Sequence, residues 1–120
     1  WGTPLYFKDT LQRWPEKHAA VVSAIARAQP GGVLFHCIRG YDRTGIISLL
    51  LLGLTGVTPE EITADYVLSQ DSKRDEFLAR IGTSSLKIIT ETLEWLDADA
   101  YLLGGGATSE DLAAIRALFL

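Results

Sequence analysis

The sequence predicts an α/β domain of which this chain supplies mainly the helical C-terminal part, and three observations carry that expectation. The first is a short apolar run, Gly32-Val33-Leu34-Phe35, that reads as a buried strand. The second is the stretch after this run: a glycine-containing loop and then residues 46–54, apolar on every side and so read as a core helix. The third is that everything downstream has helical spacing. One strand has nothing to pair with, so the sheet that completes the domain is expected to come from polypeptide upstream of residue 1.

In chain order, residues 15–28 suit a helix, with Val21, Ile25 and Ala28 at helical spacing, and Pro30-Gly31-Gly32 turns the chain into the strand. Tyr6-Phe7-Lys8-Asp9-Thr10 is expected to be a separate loop able to fold over a pocket. Thr58-Pro59-Glu60-Glu61 combines a cap, a proline at the first helical position and a capping-box glutamate, and starts a helix running to about residue 69. A short helix is expected over residues 73–81, with Ser72 and Asp75 as its cap pair. Leu86, Ile89, Leu93, Leu96, Ala100 and Leu103 step by three and four, predicting one helix that Gly104-Gly105-Gly106 ends. Ser109-Glu110-Asp111 is expected to cap a last helix reaching Phe119.

The chain has 120 residues, 48% of them hydrophobic, enough for one domain over residues 1–120 but not for two. Its net charge of −4 argues against a nucleic-acid binder or a general membrane-surface binder, since both need a concentrated basic face. The apolar run at 46–54 is far short of the roughly 20 residues that span a bilayer, so no stable membrane insertion is expected. A single cysteine excludes an internal disulfide framework and suits a reducing, cytoplasmic compartment. No secretory leader is visible, and the absence of an initial methionine suggests an internal or C-terminal piece.

Chemistry concentrates in His36-Cys37-Ile38-Arg39-Gly40-Tyr41-Asp42-Arg43-Thr44-Gly45, which joins the strand end to the helix start. A helix N-terminus offers unpaired N–H groups and partial positive charge, so a loop around it is suited to an anion. A thiol attacks only as thiolate. Loop amides, the helix dipole, the Arg43 guanidinium and the Thr44 hydroxyl are all able to stabilise negative sulfur at Cys37, and the same donors would then grip a phosphate dianion. Attack on phosphorus would leave a departing oxygen in need of a proton. Asp42 is favoured for that role by its closeness to the nucleophile, and Asp9 is the alternative.

A lone cysteine after an apolar strand is ordinarily a small buried hydrophobe. Ten residues of this kind at fixed offsets outweigh that. His18 has no second ligand at metal-binding spacing and reads as a solvated helix residue, so no metal is expected. Trp1, Trp14 and Trp95 are dispersed and read as core or rim packing.

The pattern H-C-x-x-G-x-D-R-T-G resembles the signature of the cysteine-dependent C-x5-R phosphatases. The aspartate before the arginine is similar to that of bacterial tyrosine and dual-specificity phosphatases that also act on phosphoinositides, and to myotubularin-type lipid phosphatases. Asp65-Tyr66-Val67-Leu68-Ser69 is similar to the D-Y-L-L-S stretch of the bacterial group, and residues 101–120 to its closing helices. The resemblance implies a central sheet flanked by helices, no cofactor, and hydrolysis of phosphotyrosine, with phosphoserine and phosphothreonine as further substrates, through a phosphocysteine. It implies Cys37 as nucleophile, Arg43 as phosphate clamp, Asp42 as acid and base, Thr44 as donor to the sulfur and His36 as a residue that sets the thiolate. Ile38, Arg39, Gly40 and Tyr41 would line the bound phosphate. Tyr41 departs from the lysine usual there, which weakens the case for highly charged phosphoinositides, while Arg39 supplies positive charge at the rim. A phosphoinositide phosphatase and a non-catalytic phosphate-binding pseudophosphatase are the alternatives.

Overall fold

Helix α3, Asp42–Leu54, is the centre of the molecule because its sequence gives it no polar face. Ile46, Ile47, Leu49, Leu50, Leu51 and Leu54 are all buried, as an all-round apolar helix requires. The computed structural model describes residues 3–37, 42–69 and 72–119. Around α3 lie a 3-10 turn (Pro4–Tyr6), α1 (Phe7–Arg13), α2 (Pro15–Ala26), α4 (Pro59–Val67), α5 (Ser72–Arg80), α6 (Ser85–Trp95), α7 (Ala98–Gly104) and α8 (Ser109–Leu118). Helices α1, α2, α4, α7 and α8 pack directly on α3, and α6 packs on α4. No described helix is long and apolar enough to cross a membrane.

Several local signals act as expected. Thr58 accepts from the Glu61 N–H at 3.2 Å while the Glu61 carboxylate accepts from the Thr58 N–H at 3.0 Å, closing the capping box in front of α4. The triple glycine ends α7: Gly106 takes φ 112°, and the Ala107 N–H returns to the Leu102 carbonyl at 3.0 Å.

Others are corrected. Residues 86–103 form two helices, because Leu96 is extended (φ −87°, ψ 123°) and Asp97 caps α7 by accepting from the Ala100 N–H. A side chain that satisfies a helix start competes with the periodic pattern running through it. The segment read as a loop at 6–10 is the end of the 3-10 turn and the first turns of α1, anchored by buried Phe7 and Leu11. The cap of α8 is Thr108, with Asp111 as its capping-box partner, and Ser72 is the first residue of α5 rather than its cap.

Residues 32–37 carry no regular hydrogen-bonded structure, and Leu34 is 89% exposed. Val33 and Leu34 of the expected strand are thus exposed while Phe35 is half-buried against the core, and among the described residues no strand lies alongside to supply a ladder.

Two polar networks lock the helices. Asp111, 4% exposed, accepts from both Nε and Nη2 of Arg27 at 2.9 Å, from Ser23 Oγ at 3.0 Å and from the Thr108 N–H at 3.0 Å. The Arg27 hydrogen bonds above all, then the Thr108 amide, hold its carboxyl well below the usual carboxylate range. In the second network, Tyr101 donates its one proton to the Leu11 carbonyl at 2.6 Å. His18 Nδ1, 2.8 Å from the same phenol oxygen, must therefore be the donor, which fixes the tautomer. His18 is a half-buried tie between α2, α7 and α1, not the solvated residue its surroundings in sequence suggested.

Burial lowers the His18 pKa from its ordinary 6.5, and burial followed by Glu16 pushes Tyr101 up to about 12. Because the unfolded chain binds the His18 proton more tightly than the folded one, His18 makes stability fall as pH drops below 6.5 and leaves it whole above. Thermal melts between about pH 5 and 8 are expected to show a shallower acid-side slope for His18→Gln than for the parent chain. Equal slopes would contradict this.

Candidate active site

Apolar packing decides where the signature helix begins. Gly45 faces an edge-on ring pair, Phe7 and Tyr66, whose centroids are 5.5 Å apart at 84°. A Cβ on residue 45 would lie 3.0 Å from Tyr66 Cε2 and 3.1 Å from Phe7 Cζ, so the glycine of the motif is a contact requirement. It lets α1 and α4 close on the first turn of α3. Gly45→Val is expected to cost about 1–3 kcal/mol through displaced rings, read as a melting temperature lower by several degrees. An unchanged melt would show that the rings yield freely.

The described part of helix α3 begins at Asp42, two residues before the position near Thr44 that the sequence suggested. Asp42, Arg43 and Thr44 lie in its first turn, and Cys37 is the last described residue ahead of it. Asp42 is half-buried, and its charge suits the positive end of a helix. That is a structural reason for an aspartate in an anion-binding stretch. Arg43 is exposed and extends from the same turn. Cys37 is half-buried and forms no disulfide. Ile38, Arg39, Gly40 and Tyr41 lie outside the described residues.

Three predicted residues are placed in unexpected company. His36 is exposed, and its Nδ1 donates at 3.3 Å to the Cys37 carbonyl rather than to the sulfur. Thr44 Oγ1 is buried but hydrogen-bonds no described residue, Cys37 Sγ included. Asp9 stands in the first turn of α1, exposed, with Arg13 Nε 3.1 Å from its carboxylate. Trp14 and Trp95 are also partly open, with Lys17 Nζ 5.5 Å from the Trp14 ring centre and Lys8 Nζ 5.4 Å from that of Trp95, and Trp1 lies outside the described residues.

The sequence singled out Asp65-Tyr66-Val67-Leu68-Ser69 only by resemblance. Its structural place is behind the signature helix, where Asp65, Tyr66 and Ser69 line a cavity of about 60 Å³ together with Thr44, Gly45 and Ser48. No group of three or more metal-ligating side chains gathers among the described residues.

A thiol ahead of a helix whose first turn carries arginine, threonine and a packing glycine is an arrangement suited to an anion. The sequence profile of the tyrosine phosphatase family matches residues 4–120, and the chain belongs to that family. It is 55% identical over 49 residues to a tyrosine-protein phosphatase of Nostoc commune, covering 41% of this chain and 17% of that protein. It is 37% identical over 73 residues to the triple specificity protein phosphatase PtpB of Mycobacterium tuberculosis, covering 56% of this chain and 26% of that one. A Cupriavidus necator protein with a provisional tyrosine-protein phosphatase name is 33% identical over 110 residues, covering 82% of this chain and 40% of that protein. The chain spans less than half the length of each of these relatives. No solved structure matches it.

Proposed function

We propose that this chain is the C-terminal part of a single phosphatase catalytic domain that hydrolyses phosphotyrosine through a phosphocysteine intermediate. The observation that carries the reading is the placement of Asp42, Arg43 and Thr44 on the first turn of a buried 13-residue helix, five to seven positions after Cys37. The dipole and N–H groups of that turn favour both a thiolate and a phosphate dianion. Cys37 attacks phosphorus in line, and the bond to the leaving oxygen breaks as Asp42 delivers a proton. Water then attacks the phosphocysteine, giving its proton to Asp42 and releasing inorganic phosphate. Arg43 grips two phosphate oxygens with its planar fork. No metal or cofactor takes part.

The sheet proposed to complete the domain pairs with residues 33–35, whose exposed Leu34 and Val33 would be buried by it. A reducing, cytoplasmic setting suits the thiolate. The name triple specificity, given to the Mycobacterium tuberculosis relative, supports a pocket that takes more than one class of phosphorylated substrate, phosphoserine, phosphothreonine and phosphoinositides being the ones to test beside phosphotyrosine. The test is phosphate release by the full chain, upstream sheet included, from phosphotyrosine, phosphoserine and phosphoinositide substrates, with Cys37→Ser as control. Phosphate binding without turnover would favour a pseudophosphatase.

A further inference from the structure

The cavity behind the signature helix has polar groups facing it from two elements. Thr44 and Ser48 belong to α3, Asp65 to α4, and Ser69 lies two residues past the end of α4. Its volume, about 60 Å³, is too small for a metabolite and enough for one or two water molecules. Buried hydroxyls are almost always hydrogen-bonded, and one that is not calls for a partner such as an internal water. Thr44 Oγ1 is such a hydroxyl, buried and without a bond to any described residue. Asp65 lines the same cavity while remaining exposed, so the residue stands at its rim.

We propose that Asp65 is a positioning residue that acts through water in this cavity on the Thr44 hydroxyl, and through Thr44 on the Cys37 thiolate. The inference rests on the phosphocysteine reading. The direction of the hydrogen bonds is set by the donor inventory. Asp65 is an acceptor only, so the water gives it one proton and gives the other to a lone pair of Thr44 Oγ1. The single proton of Thr44 is then left for the sulfur. Without an acceptor at the rim, the water is free to accept from Thr44 instead, and the thiolate loses a donor. Ser48 lines the cavity on the α3 side, so a larger apolar residue there excludes the water, and with it the donor that turns the Thr44 proton toward the sulfur.

The sign of one measurement separates this relay from simple charge. Removing a carboxylate near a thiolate lowers the thiol pKa by Coulomb's law, whereas losing a hydrogen bond to the thiolate raises it. The Cys37 pKa is read from the pH dependence of iodoacetamide alkylation in the full chain. Asp65→Ala and Ser48→Val are each expected to raise it by about 0.5–1 unit, and Asp65→Asn, which keeps an acceptor but not the charge, is expected to leave it at or below the parent value. An unmoved or lowered pKa in both Asp65→Ala and Ser48→Val overturns the relay. A parent thiol with an ordinary pKa near about 8.5 overturns the phosphocysteine reading and the relay with it. A lowered parent value beside unmoved variants overturns the relay alone. Ser48→Val, lying on a different helix from Asp65, keeps the test intact should Asp65→Ala fail to fold.

Discussion

Cys37→Ser is expected to lower phosphate release from phosphotyrosine by about 10⁴-fold or more while leaving phosphate affinity within a few-fold of the parent. The two effects separate because the anion site and the nucleophile draw on the same groups but ask different things of them. Binding phosphate needs only the donors of the α3 first turn and the Arg43 fork, and a serine side chain disturbs neither. Attack needs an ionised nucleophile, and donors able to hold a thiolate near neutral pH fall far short of ionising an alcohol. The expected pattern is a collapsed kcat with an unchanged inhibition constant for inorganic phosphate. Comparable turnover by both proteins would sink the phosphocysteine mechanism. Tight phosphate binding with no turnover by either would instead mark a binding module.

The sequence was most legible where a local rule and the tertiary context agree. Helix α3 was readable because an apolar run with no polar face has only the core to occupy, and α4 because proline, threonine and glutamate fix its start within four residues. The break at Leu96-Asp97 was hidden, since the apolar steps from Leu86 to Leu103 continue through it and the capping role of Asp97 shows only in its bond to the Ala100 N–H. Asp111 was assigned a cap role, but nothing in the spacing reveals that Arg27, 84 positions away, grips it from another helix. His18 was misread for the same reason: its partner Tyr101 is 83 positions on. At the site, the ten-residue pattern named the residues, while the reason for Gly45 emerged only from the rings of Phe7 and Tyr66. Leu34 is exposed, which the apolar run alone does not reveal.

The choice between Asp42 and Asp9 as proton donor gives the second large effect, and the structure sharpens the contest. Asp42→Asn in the full chain is expected to slow release from an alkyl or phenyl phosphate by about 10²–10⁴-fold and to spare a p-nitrophenyl ester, whose leaving group departs without help. Asp9→Asn is expected to leave both substrates near the parent rate. Asp42 sits next to Arg43 on the first turn of α3, five positions from Cys37 in sequence, whereas Asp9 lies on α1, exposed and engaged with Arg13 at 3.1 Å. An exposed ion pair of that kind contributes about 1 kcal/mol at most, so its loss should barely register in a melt. Asp42 also complements the positive end of α3, and its neutralisation costs roughly 0.3–1 kcal/mol on that account. A stability change of this size with no dependence on leaving group would reduce Asp42 to a helix-start residue. The opposite pattern, with Asp9→Asn alone slowing the poor leaving group, would require α1 to swing its first turn toward the phosphate. Phe7 opposes such a swing, because it is 1% exposed and packs edge-on against Tyr66 at the same place where Gly45 admits the helix start.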